Sequence, residues 1–484
     1  MENSYRRSAR HILLIAMANA LVSVSGLILL PFLTKTLGAH DYGIWVQATV
    51  TIALAESLSI FGLPFALTRF LPAERERAMI QERFYSTLVF ILFTSVAISA
   101  LLFIFSAPIA RGLFDGATEI VTIVALVVPV WCLDWVCLHY FRAFLQIGRY
   151  SVFILLKTYG EVGLIVWLVL AGHGIFGACL AVLIVRACLL GILLFLIASK
   201  IGIKMPTFSM LKEHLSFGLP TMPGTLSAWA VSSCDRYVIG YFLGATFVGF
   251  YSPGYTLGNF LTMMIIPSLS FVLVPSLSRL YDEGRLDEVK THLKYALKYY
   301  LMVAIPFVFG ATLLSRPLLV ILSTPEIAAQ GYLVTPVIAC AVLLFGVYSV
   351  ISLTLILAKK TRAIGATWIV AAALNLVLNI LLVPAMGILG AAVSTLVAYA
   401  LASGVIVYFS LRQLTFGIEW HSIAKSLAAS AVMSAVVWLI APAQTLTVVL
   451  AVVAGVVVYA AVLLMLKGFN REELAFFKGL LARA

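Results

Sequence analysis

Charge is what this sequence has least of. Only 11% of its 484 residues are Asp, Glu, Lys or Arg, against 63% hydrophobic, and the mean hydropathy is +1.09. A water-soluble domain of this size needs far more charge to cover its surface. A soluble globular protein is therefore excluded. No polar segment is long enough for a soluble module; the longest, around Ser278 to Lys298, is a short connector. The net charge of +12 is thus not the mark of nucleic-acid binding, which would gather Lys and Arg on such a module. Cysteine is also scarce. Cys132, Cys137, Cys179, Cys188, Cys234 and Cys340 lie in apolar stretches, without the paired spacing of a zinc site or redox motif, and read as free buried thiols. The seven histidines are scattered, with no pair at metal-ligand spacing. There is no phosphate-binding Gly loop, no ATP motif and no long outside loop to carry catalytic groups. The expectation is a protein without metal or cofactor that is not an enzyme.

What the sequence does have is long apolar stretches. A membrane-spanning helix needs about 20 apolar residues, and the runs between polar or turn-rich breaks give about 14 spans. The N-terminal run passes a faint cleavage-like Ala18-Asn19-Ala20 but continues to about Leu33, too long for a signal-peptide core. It reads as the first permanent span, near His11 to Thr34. Span 7 is expected near Ser216 to Phe242, span 8 near Val248 to Ser276, and span 10 near Ile327 to Leu357, where Pro336 is expected to allow a bend. With the N-terminus cytoplasmic, 25 of the 32 Lys and Arg fall in inside segments. Three (Lys35, Arg111, Arg316) fall outside and four (Arg69, Lys157, Arg186, Arg236) within spans. A wrong span count would put later loops on the wrong side and destroy this bias. The pattern predicts an even number of spans and both termini cytoplasmic, in a cell (inner) membrane.

An internal repeat accompanies the spans. Leu37-Gly38-Ala39 then Gly43, leaving span 1, matches Leu243-Gly244-Ala245 then Gly249, leaving span 7. Gly174-Ile175-Phe176-Gly177-Ala178, entering span 6, matches Gly387-Ile388-Leu389-Gly390-Ala391, entering span 12. The offsets are 206 and 213 residues. Spans 1 to 6 and 7 to 12 read as two parallel copies, and transporters built this way place the substrate path between the halves. The expected fold class is an all-α polytopic membrane protein of about 14 transmembrane helices, two six-helix parallel repeats plus two extra C-terminal helices. The divisions are an N-terminal six-helix lobe, 1–199, a cytoplasmic connector, 200–215, and a C-terminal six-helix lobe, 216–410. Helices 13 and 14 occupy 411–466, and a cytoplasmic tail 467–484. Ala431 to Leu466 carries no charge, so the extra helices are expected to face lipid.

Three segments resemble a known family. The first runs Leu30-Pro31-Phe32-Leu33-Thr34-Lys35-Thr36-Leu37-Gly38-Ala39-His40-Asp41-Tyr42-Gly43-Ile44-Trp45. The second is Gly218-Leu219-Pro220 with Asp235-Arg236-Tyr237-Val238-Ile239-Gly240-Tyr241-Phe242-Leu243-Gly244 and Val248-Gly249-Phe250-Tyr251. The third is Asn375, Asn379 and Pro384, then Gly387-Ile388-Leu389-Gly390-Ala391-Ala392. Together they resemble the polysaccharide-transport (Wzx-type O-antigen and capsule) branch of the multidrug/oligosaccharidyl-lipid/polysaccharide exporter superfamily. The resemblance implies a flippase that moves a polyprenyl-diphosphate-linked oligosaccharide from the cytoplasmic to the outer leaflet by alternating access, for polysaccharide biosynthesis, without chemistry on the glycan. Its partners would be that lipid-linked glycan, the bilayer, and H+ or Na+. An ion-coupled multidrug or cation antiporter of the same superfamily is the alternative.

Ionisable residues within spans are costly, so each is a candidate. Arg186, Lys157, Arg236, Asn375 and Asn379 are the candidates for substrate binding. Arg suits a phosphate because its planar fork donates two parallel hydrogen bonds. Arg186 and Lys157 either line a wet cavity or pair with Glu161 and lock helices together. Glu56, Asp134 and Glu161 are the candidates for ion coupling. Asp235 is the candidate gate. Asp235 and Arg236, neighbours about 100° apart on a helix, are expected not to pair with each other. Trp45, Tyr251 and Tyr255 read as interfacial anchors.

Overall fold

The computed structural model describes residues 2–442, 444–469 and 473. Most of the tail expected at 467–484, with Arg471, Lys478 and Arg483, lies outside the described residues. Among the described residues every regular element is a helix. In lipid this is the expected answer, because a helix satisfies its backbone N–H and C=O groups internally. In chain order the helices are α1 (Glu2–Ser59), α2 (Leu63–Phe70), α3 (Arg77–Ile104), α4 (Ser106–Leu113), α5 (Thr118–Ala143), α6 (Ile147–Leu168), α7 (Gly174–Ile201), α8 (Leu211–Gly218) and α9 (Met222–Leu243). There follow α10 (Ala245–Gly258), α11 (Phe260–Asp282), α12 (Leu286–Leu322), α13 (Pro325–Gly331), α14 (Val334–Leu357), α15 (Thr361–Met386), α16 (Ile388–Leu411), α17 (Trp420–Ile440) and α18 (Thr445–Met465).

Ten of the described helical stretches are long and apolar enough to cross a membrane. Two of them carry glycine breaks. Met17–Ser59 has 43 residues and turns at Gly38, while Ile147–Ile201 has 55 residues and passes through Gly172 and Gly174. Predicted span 8 is broken at Asn259, between α10 and α11. Predicted span 10 is two helices, α13 and α14, and Pro336 sits in the first turn of α14 instead of bending a continuous rod. That is where proline costs least, since first-turn N–H groups have no helical acceptor. Pro220 falls in a 3-10 turn, Leu219–Thr221, between α8 and α9.

The chain divides into two compact units, Met1–Ser252 with Ala372–Ala391, and Pro253–Ala371 with Ala392–Ala484. In the first, Leu63, Leu67, Phe84, Val128, Tyr140 and Leu193 form an apolar core among α2, α3, α5 and α7. In the second, α17 and α18 pack on α12 through Met302, Leu314, Ala429, Met433 and Ala451. Tyr459 anchors that packing by donating to the Met302 carbonyl at 2.6 Å. Val449, Leu450, Val453 and Val456 of α18 remain exposed, an apolar face suited to lipid.

Within the first unit the two Leu-Gly-Ala segments share a backbone conformation. Gly38 has φ 75°, ψ −178° and Gly244 has φ 92°, ψ 169°. Non-glycine residues rarely adopt such angles. The segments also clasp each other reciprocally. A Cβ on Gly43 would collide with the Ala245 carbonyl, and one on Gly249 with the Ala39 carbonyl.

The segment between α7 and α8 is held against α3. Glu82 accepts N–H bonds from Thr207 (2.9 Å) and Ser209 (3.2 Å), and Arg77 donates to the Ile201 carbonyl at 2.6 Å. Arg83 pairs with Glu74 (2.8 Å) and Glu213 (2.7 Å) and donates to His214 Nε2 at 3.0 Å. Because Nε2 accepts, the neutral ring carries its proton on Nδ1, which donates to Thr87 Oγ1 at 3.0 Å. Burial, then the nearby Arg83 charge, push the His214 pKa down to about 4. Of the six cysteines, all free, Cys188 is exposed and Cys340 half-buried; the other four are buried.

Candidate functional site

Five of the ionisable residues expected inside the membrane converge in the first unit. α5 supplies Trp131 and Asp134, three residues apart and so on one face. α6 supplies Lys157 and Glu161, four apart on one face, and α7 supplies Arg186. The arm of α1 beyond Gly38 supplies Glu56. Arg186 is the hub. Its Nε lies 2.6 Å from Glu161 Oε1, its Nη1 lies 3.5 Å from Asp134 Oδ2, and Lys157 Nζ lies 3.5 Å from that same Asp134 oxygen. The guanidinium covers the Trp131 ring, 3.1 Å from its centroid. Trp131 in turn donates its indole N–H to Glu56 at 2.7 Å. Glu56 thus joins the cluster through an aromatic ring and not through a cation.

The shortest contact is an ion pair without hydrogen-bond alignment. At 2.6 Å, Arg186 Nε and Glu161 Oε1 are close enough to bond, yet the N–H does not point along the line between them, and both atoms lack a hydrogen-bond partner. The attraction is therefore Coulombic, and Arg186 keeps unused donor capacity. Asp134 is 1% exposed and Arg186 4%. Removing such charges from water costs several kcal/mol per ion, which only close opposite charges can offset. With three carboxylates and two cations the formal charge is −1, so this cluster is balanced and slightly acidic, not a bare cationic patch.

A cavity of about 130 Å3 borders the cluster, with Glu161, Trp131, Thr158, Trp45 and Thr49 in its wall. Small-molecule sites run to roughly 300–1,000 Å3. The cavity takes water or a small ion in this conformation and is too small for an oligosaccharide.

The other predicted residues form a second group. Asp235 accepts from the Tyr251 hydroxyl at 2.5 Å and pairs with Arg236 at 2.7 Å. The expectation that these neighbours would not pair fails. The 100° offset applies to Cβ directions, and the long arginine side chain curls back across it. Tyr251 is likewise a buried partner of Asp235 and not an interfacial anchor, and Tyr255 is buried. Asn375 and Asn379 are fully buried on α15. Asn379 donates to Asn375, and Cys234 donates its S–H to Asn375 Oδ1 at 3.3 Å. Asn375 Nδ2 and Asn379 Oδ1 have no hydrogen-bond partner. Among the described residues, no three His, Cys, Asp or Glu side chains converge as a metal site.

Sequence reasoning passed over Trp131, the platform under Arg186. Its position three residues before Asp134, on the same face, was the available signal. It also passed over the Arg83–His214 network.

The polysaccharide biosynthesis protein family matches residues 32–328, more than half of the chain. The chain belongs to that family. A probable flippase, AglR, of Haloferax volcanii is 26% identical over 293 residues, which cover 55% of this chain and 60% of that relative. The chain therefore matches less than two thirds of this curated relative's length. Among solved structures, the lipid II flippase MurJ in an inward closed conformation superposes with a TM-score of 0.78 at 17% identity, covering 94% of this chain and 99% of that one. A multidrug resistance MATE family transporter of the MOP superfamily, inward-facing, superposes with a TM-score of 0.65 at 17% identity, covering 84% and 97%. At these identities the structural likeness establishes the fold. This family member is a multi-pass membrane protein whose fold is similar to both of those structures.

Proposed function

We propose that the protein is a flippase that carries a polyprenyl-diphosphate-linked oligosaccharide from the cytoplasmic to the outer leaflet of the cell membrane by alternating access. In this reading the chain has 14 spans in two six-helix repeats plus two helices, with both termini cytoplasmic and lobes at 1–199 and 216–410. The shared backbone angles of Gly38 and Gly244 support the repeat. The observation that carries the function is the Arg186 hub, a buried guanidinium with unused donors, inside a polysaccharide biosynthesis family member. Glu161 and Asp134 hold Arg186 while the site is empty. An arriving diphosphate, with more charge than either carboxylate, competes for the fork, and Lys157 follows. Arg236, Asn375 and Asn379 serve the glycan side, Asp235 the gate. Exchange of the hub between phosphate and carboxylate leaves Asp134 and Glu161 free to take up a cation, together with Glu56, in the return step.

A cation antiporter is the second reading, favoured by the excess of one carboxylate in the cluster. Purified protein in vesicles discriminates the two. Transfer of a lipid-linked oligosaccharide between leaflets supports the flippase. Cation exchange against an organic cation, with no movement of the lipid-linked glycan, replaces it by the antiporter.

A further inference from the structure

A second cavity lies where α6 begins and α7 ends, and it has a different chemistry. Its volume is about 670 Å3, and Arg149, Lys200, Gln146, Ser199, Leu145 and Leu196 help to line it. That volume is in the range of small-ligand sites, roughly 300–1,000 Å3. The Arg149 guanidinium donates to Gln146 Oε1 at 3.1 Å, and Lys200 Nζ lies 5.4 Å from the Phe144 ring centroid. Residues 141–152 and 196–204 contain Arg142, Arg149, Lys200 and Lys204 and no Asp or Glu. Among the described residues none of these four cations forms an ion pair with a carboxylate, in contrast to Arg186 and Lys157. The cavity is thus an uncompensated cationic recess. Beside it, Leu145 is 69% exposed and holds φ 53°, a backbone region a leucine rarely occupies.

We propose that this recess is a binding site for the phosphate headgroup of an anionic membrane phospholipid. The two cations, with the Gln146 amide nearby, supply the donors a phosphodiester needs; the Ser199 hydroxyl is already donated to the Phe195 carbonyl at 2.7 Å. Exposed Leu145 and the apolar wall at Leu196 meet the acyl region beside it. The charge bias assigns this end of α6 and α7 to the cytoplasm, and a basic recess between helices on that side suits an anionic lipid. The site is separate from the Arg186 hub, and the proposal does not depend on what the protein transports.

The test is native mass spectrometry of the purified full chain with phosphatidylglycerol or phosphatidylcholine added at equal concentration. Two cations near the phosphate predict a preference for phosphatidylglycerol of about 30-fold. The pair Arg149→Gln with Lys200→Gln is expected to bring that preference close to one while leaving the elution profile of the protein unchanged. A remote pair, Lys359→Gln with Lys360→Gln, is expected to leave the preference intact. Equal retention of both lipids by the wild type would overturn the proposal, as would an equal loss in the remote pair. Displacement of phosphatidylglycerol by millimolar inorganic phosphate would also overturn it, because the site would then be one for free phosphate.

Discussion

Replacing Glu161 by Gln probes the hub at its strongest contact. Glutamine keeps the shape and removes the charge. Arg186 then retains the Trp131 ring and, as its carboxylate partner, Asp134 at 3.5 Å, well beyond the roughly 2.7–2.9 Å of a charge-assisted hydrogen bond. Breaking a buried pair by removing one partner costs about 3–5 kcal/mol. The glutamine dipole and Asp134 recover part of this, so Glu161→Gln should cost about 2–3 kcal/mol. Asp134→Asn loses two contacts that are both 3.5 Å long. Both are longer than the 2.6 Å Glu161 contact, so its cost should be the smaller of the two, about 1–2 kcal/mol. Thermal unfolding in detergent, followed by a thiol-reactive dye that reads the buried cysteines, ranks the two. Combining Glu161→Gln with Arg186→Gln completes a double-mutant cycle, with an expected coupling above about 1 kcal/mol. Equal losses from Glu161→Gln and Asp134→Asn, or additive effects in the cycle, would refute the ion-pair account of the hub.

Other expectations follow from single contacts. Gly43→Val and Gly249→Val should each destabilise the fold by about 1–3 kcal/mol or more, because each new side chain meets a backbone carbonyl and not a flexible neighbour. A thermal melt unchanged in either variant would dismiss the reciprocal clasp. His214 is held neutral, with a folded pKa of about 4 against an ordinary 6.5. The unfolded chain binds more protons between those values, so stability is full above pH 6.5 and falls as pH drops toward 4, by at most about 1.4 kcal/mol per unit for one proton. Melts of the wild type and His214→Gln across that range should differ in slope; parallel slopes would remove His214 as the cause. Glu82→Ala frees the Thr207 and Ser209 amides and should raise protease cleavage in the 202–210 segment, and no increase would show that Glu82 does not hold that segment.

The membrane class was legible from hydropathy alone, because a span needs only length and apolarity. The breaks were less legible. Asn259, between α10 and α11, interrupts an apolar run that reads as continuous, and the Gly258 packing that accompanies the break involves Thr335 and Ile338, far away in sequence. The Leu-Gly-Ala repeat was visible as a pattern, but nothing in a linear pattern says that its two copies touch. At the hub, the common helix face of Lys157 and Glu161 was legible from i,i+4 spacing, although Lys157 pairs with Asp134 and Glu161 with Arg186. The choice of Arg186 over Lys157 as Glu161's closest partner depends on how α6 and α7 face each other, which spacing does not encode. Tyr251 was misread because a tyrosine near a helix end fits an interface as well as it fits a buried carboxylate.

The most direct measurement is leaflet-to-leaflet transfer of a polyprenyl-diphosphate oligosaccharide by the purified protein in vesicles, with the wild type beside Arg186→Ala and Arg186→Lys. The account predicts transfer by the wild type, a loss of about 100-fold on removing the guanidinium and only partial recovery with lysine, which lacks the planar fork. Full transfer by Arg186→Ala, or no transfer by a folded wild type, would contradict it.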